Sequence, residues 1–83
     1  MDRKEIEKKV IKSASIVLKK DVSTITEEAR FKEDLKITSM KVVMLTALLE
    51  DEFNKKFPMA RVLKNQTIRD CVDMVVETLA AEA

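Results

Sequence analysis

The sequence contains no glycine, histidine, tryptophan or tyrosine, and only one proline, one cysteine and three phenylalanines. Each shortage excludes something. Without glycine and with a single proline, a turn-rich β fold lacks its usual punctuation, whereas helices lose nothing. Without histidine, a cysteine partner or a glycine-rich phosphate loop, the chain has no group of residues from which to assemble an active site, so no catalysis and no metal centre are expected. Three phenylalanines offer few platforms for stacking on bases. Sixteen basic against fifteen acidic residues give a net charge of +1, too even for a nucleic-acid footprint. Cys71, being alone, cannot form an internal disulfide, which suits a reducing compartment. Met1-Asp2-Arg3-Lys4-Glu5 lacks the apolar core of a signal peptide. The longest apolar run, Val42 to Leu45, is far too short to span a membrane. The expectation is a soluble, cytoplasmic protein.

What is present reads as helix. Eighty-three residues make one domain, 1–83, with a small core. Residues 3–20 form an amphipathic pattern: Ile6, Val10, Ala14, Val17 and Leu18 share one face, and Lys8, Lys9, Lys12 and Ser15 the other. Residues 21–38 are a long connection. Such a length in a small domain calls for apolar pins, and Phe31 and Leu35 are the candidates. A second helix over 39–54 has Val42, Leu45, Leu49 and Phe53 as its core stripe, and Phe57-Pro58 ends that segment. Residues 59–64 allow only a short helix, broken at Asn65-Gln66. Thr67 is placed to cap a last helix over 68–80, with Asp70 in the capping-box position and Ile68, Val72, Val75 and Leu79 facing inward. Charge is uneven: residues 1–20 carry seven basic and three acidic groups, residues 65–83 one and four.

The segment that bears on function is Phe31-Lys32-Glu33-Asp34-Leu35-Lys36-Ile37-Thr38-Ser39-Met40. It sets a serine hydroxyl at a helix N-terminus behind an irregular loop, where unpaired amides and a partial positive charge favour a bound or attached phosphate. On spacing alone, Thr38 or Ser39 capping the helix is the commoner use of such residues. The wider pattern resembles the acyl carrier proteins, whose serine at the start of the second helix follows Asp-Leu-Gly-x-Asp and precedes leucine. Asp34, Leu35 and Ser39 match, and Met40 replaces the leucine. Lys36 and Thr38 stand in place of the glycine and the second aspartate. The resemblance runs from about Ile25 to Val76.

That resemblance implies an all-α, acyl-carrier-like four-helix bundle with three longer helices, one short helix and a long first loop. It implies that Ser39 carries a covalent 4'-phosphopantetheine arm, installed from coenzyme A by a phosphopantetheinyl transferase. The arm's thiol then holds an acyl or aminoacyl group as a thioester for loading and acyl-transferring enzymes. The implied state is a monomeric carrier. Met40, Met44, Ala47 and Asp51 recur at helical spacing opposite the core stripe, where partners dock in the family. Methionine suits surfaces that meet several partners. In this chain Met44 stands where a glutamate is common, and Lys41 and Lys56 replace the usual acids. Packing of Met44 and Ala47 beneath the short third helix is the competing reading.

Two other functions fit the residues. One is a carrier-like interaction domain without the arm, motivated by Lys36 and Thr38. The other is a basic amphipathic module at anionic membranes, motivated by the first twenty residues. Aminoacyl, D-alanyl, polyketide and fatty-acid cargo all remain open. The near-neutral charge favours a specialised carrier over the main fatty-acid one.

Overall fold

The computed structural model describes residues 1–81. Helix α1 (Arg3–Leu18) starts at Asp2, whose carboxylate accepts the Glu5 amide at 2.9 Å. A short 3-10 turn, Val22–Thr24, follows, then α2 (Ser39–Phe53), α3 (Met59–Val62) and α4 (Ile68–Ala81). Thr67 and Asp70 make the expected reciprocal cap of α4. Thr67 Oγ1 accepts the Asp70 amide at 3.1 Å, and Asp70 Oδ2 accepts the amides of Gln66 at 2.9 Å and Thr67 at 3.3 Å. The all-α expectation of three longer helices, one short helix and a long first loop is met.

Because the chain has no glycine, its left-handed residues are Lys19 (φ 56°), Lys36 (φ 53°) and Asn54 (φ 52°). Two of them stop helices. The Lys19 amide donates to the Ser15 carbonyl and the Asn54 amide to that of Glu50. This corrects two boundaries. Helix α1 ends at Leu18 rather than residue 20, and α2 is closed by Asn54 rather than by Phe57-Pro58. Pro58 instead sits at the N-cap of α3, which spans only Met59–Val62.

Helix α1 packs against both α2 and α4, and α3 touches α2 and α4. Ile6, Val10, Ala14, Val17 and Leu18 are all buried, as the periodicity requires. Leu45, Leu49 and Phe53 of α2 and Ile68, Val72 and Val75 of α4 are buried too, while Val42 and Leu79 are only half-buried. The structure adds Phe57, Val62 and Met74 to the core, where Cys71 on the flank of the α4 stripe is also buried, together with two polar residues, Ser13 and Thr46. The Thr46 hydroxyl donates back to the Val42 carbonyl at 2.8 Å, which removes the penalty of burying it.

The long connection is pinned by Phe31 and Leu35, and also by Ile25 and Ala29. Its backbone is clamped to the start of α4. The Phe31 amide donates to the Gln66 carbonyl (2.9 Å), that of Ile68 to Ala29 (3.1 Å) and that of Arg69 to Glu27 (2.9 Å). Outside the clamp, Arg3 reaches Glu27 and Asp73, and Arg69 reaches Glu27 and Glu28. Such exposed pairs contribute little individually and weaken with salt. The backbone bonds and buried pins are what hold the loop.

Candidate functional site

Helix α2 begins with a division of labour between neighbours. Thr38, in an extended conformation, is the N-cap: its hydroxyl oxygen accepts the Lys41 amide at 3.3 Å, and its carbonyl accepts the Val42 amide at 2.9 Å. Ser39 is the first helical residue. It is exposed, and no hydrogen bond among the described residues engages its hydroxyl. Either residue could have capped on composition alone. The structure gives that task to Thr38 and leaves the serine oxygen free at the positive end of the helix.

The approach to Ser39 is fixed by Asp34. Its Oδ2 accepts the Arg30 amide at 2.8 Å, the Arg30 guanidinium lies 3.3 Å away, and the Asp34 amide returns to the Arg30 carbonyl at 3.0 Å. The Arg30 amide, and then its guanidinium, hold the Asp34 carboxyl below the usual carboxylate range. Leu35 is buried beneath this turn, and Lys36 takes the left-handed conformation that lets the chain swing toward α2. The acid–leucine pair is therefore a loop device: one side chain ties the turn and the other anchors it.

Ser39 and Thr38 stand on the wall of a cavity of about 660 Å³ between the loop, the first half of α2 and α3. Its deep residues are Phe31, Leu45, Val62 and Cys71, all buried, with Ile37 and Val42 half-buried above them. Exposed Arg30, Lys32, Glu33, Lys64 and Gln66 surround the opening. The half-burial of Val42 is explained here, since it packs against the core and also lines this space. Cys71 is walled in at the floor. Burial, reinforced by the charge of Asp70, pushes its thiol up to about 12, so it stays protonated and unreactive at neutral pH.

On the outer side of α2, Met40 is 74% exposed and Met44 49%, and Ala47 and Asp51 are also exposed. Lys41 is half-buried and Lys56 exposed. Met44 and Ala47 are thus not covered by α3, as the competing reading required. Sequence reasoning missed that Val43, Met59 and Leu63 are exposed beside them, at 54%, 37% and 63%. The signal was available as charge: residues 35–49 and 53–69 contain no aspartate or glutamate. Of the acids between them, Glu50 accepts the Phe57 amide at 2.8 Å and Glu52 pairs with Lys9 at 2.9 Å.

Residues 8–75 match the family model for a phosphopantetheine attachment site. The chain is 39% identical over 77 residues to an acyl carrier protein of Rubrobacter xylanophilus, covering 93% of this chain and 95% of that one. It is 37% identical over 73 residues to acyl carrier proteins of Rickettsia canadensis and Rickettsia rickettsii, covering 88% of this chain and 85% of each.

Proposed function

This chain belongs to the acyl carrier protein family, and on that premise we propose that Ser39 is the residue to which its 4'-phosphopantetheine arm is joined. One observation carries the assignment: Ser39 places an exposed hydroxyl with no structural duty on the first turn of α2, beside the cavity. A phosphodiester there would meet the unpaired amides and partial positive charge of the helix end, and the first turn has no carboxylate to oppose it. When attached, the arm supplies a thiol that carries an acyl group as a thioester. The protein's own contribution is positional. Thr38 fixes the helix start, Asp34 and Leu35 fix the loop behind it, and the cavity offers an apolar lining in which cargo is sheltered from water. Cys71 does not compete for the acyl group, because its thiol stays protonated.

Met40, Lys41, Met44, Ala47, Asp51 and Lys56 form the surface on which transferase, loading and acyl-transferring enzymes meet the carrier. A reducing cytoplasm suits the single buried thiol. The test of the attachment site is intact mass after incubation with coenzyme A and a broad-specificity phosphopantetheinyl transferase. One addition is expected on the wild type and none on Ser39→Ala. Modification persisting in that variant, at Ser15 or Ser23 for instance, overturns the assignment.

A further inference from the structure

The surface around Ser39 carries more basic than acidic groups, Glu33 being the exposed acid on the cavity wall, in a chain that is almost neutral overall. Lys36 and Lys41 are the charged residues of 35–49; Lys55, Lys56, Arg61, Lys64 and Arg69 are those of 53–69. Not all of that charge is available, since Arg61 pairs with Glu77 and Arg69 with Glu27 and Glu28. Lys36, Lys41, Lys56 and Lys64 remain, with no ion pair among the described residues. Lys41 shares the first turns of α2 with the exposed Met40, Val43 and Met44, Lys64 lines the cavity with Ser39 and the exposed Leu63, and Lys56 lies beyond the C-terminal end of α2. With Glu50 and Glu52 engaged elsewhere, Asp51 is the acid left to the outer face of α2, three turns from Ser39.

We propose that the enzymes served by this carrier meet it through an apolar recess rimmed by carboxylates, so that docking polarity is set by lysines on the carrier and acids on the partner. The proposal rests on the attachment of the arm at Ser39, because that attachment is what obliges a partner to approach this face. Complementary charge sets encounter rate and partner choice, and the apolar centre sets residence time. A partner with a basic docking surface meets Lys41, Lys56 and Lys64 as like charges, and nothing on the first three turns of α2 attracts it.

Two phosphopantetheinyl transferases serve as probes, one with an acidic carrier-docking surface and one with a basic surface. Each is assayed on the wild type and on the triple variant Lys41→Glu/Lys56→Glu/Lys64→Glu. The wild type is expected to favour the acidic-surface enzyme by about tenfold or more in kcat/KM at low salt, and the variant to reverse that order. Both preferences should shrink as salt is raised to about 0.5 M. Circular dichroism confirms that the variant keeps its helices, and the single Lys64→Glu replaces it if it does not. An order that ignores the charge changes while Ser39 is still modified overturns this inference alone. Failure of both enzymes to modify Ser39 overturns the attachment reading and the inference together. Wild-type protein that cosediments with phosphatidylserine vesicles at physiological salt also overturns it, because the face would then be a membrane-binding surface.

Discussion

Thr38 Oγ1 accepts the amide of Lys41 at 3.3 Å, so the cap of α2 and the exposed hydroxyl of Ser39 next to it are separate side chains. Replacing one should therefore leave the other's task intact. Thr38→Ala is expected to cost about 0.5–2 kcal/mol in denaturant unfolding while Ser39 can still be modified. Ser39→Ala should stay within about 0.5 kcal/mol of wild type and abolish modification. A large loss of stability in Ser39→Ala would mean that the serine shares the capping.

Lys36 is left-handed where the family pattern has glycine. A side chain costs roughly 1–2 kcal/mol in that conformation, and glycine recovers most of this less the entropy it adds to the unfolded chain. Lys36→Gly should therefore stabilise the protein by about 0.5–1 kcal/mol, measured as a higher denaturation midpoint at unchanged slope.

Acid should weaken the loop. The Asp34 carboxyl is held below its ordinary 3.8 by the Arg30 amide and guanidinium, and that of Asp21 by the amide and then the hydroxyl of Ser23. A depressed carboxylate stabilises the fold above its unfolded pKa, and that contribution is lost as pH falls through its folded pKa. Stability should thus be steady from neutrality to about pH 5 and decline below about pH 4. Asp34→Asn should start lower and fall less steeply. Backbone amides are the leading donors in both cases, so added salt should not remove the effect.

Cys71 ionises in the opposite sense. An unfolded thiol loses its proton near 9, the folded one near 12. Above pH 9 the unfolded state is therefore favoured by deprotonation, and stability should fall as pH rises from 9 toward 12. At pH 8 a thiol reagent should label the native protein far more slowly than the urea-unfolded chain. Equal rates would show that the floor of the cavity opens without unfolding.

Met44 is half exposed on the outer face of α2. Met44→Glu should leave the melting temperature near that of wild type while weakening partner binding by about tenfold or more, the scale of one well-centred apolar contact. A collapse in melting temperature would return Met44 to the core. Leu45→Glu, next to it and buried, is the contrasting control and should unfold the protein.

Helix positions and most of the core were legible because burial follows the 3.6-residue period, which Ile6, Val10, Ala14 and Val17 display without ambiguity. Met74 escaped because α4 buries a broader face than one stripe. Ile25 and Ala29 escaped because a loop has no period, and Ala29 is tied to Ile68, some forty residues away at the start of α4. The start of α2 at Ser39 was legible from its neighbours, but the choice of cap was not. Thr38 and Ser39 are chemically equivalent caps, and only the extended backbone at Thr38 separates them. The left-handed turn at Lys36 was equally hidden, since nothing in a lysine announces it.

Helix α3 is a single turn without a side-chain cap, yet its Val62 and the following Leu63 form one wall of the cavity. An isolated turn has little cooperativity of its own and depends on its neighbours for shape. What holds this turn in place lies outside it: Val62 is buried in the core and Arg61 pairs with Glu77 of α4. Arg61→Ala and Val62→Ala should therefore alter the width of the cavity while leaving α2 and Ser39 in place.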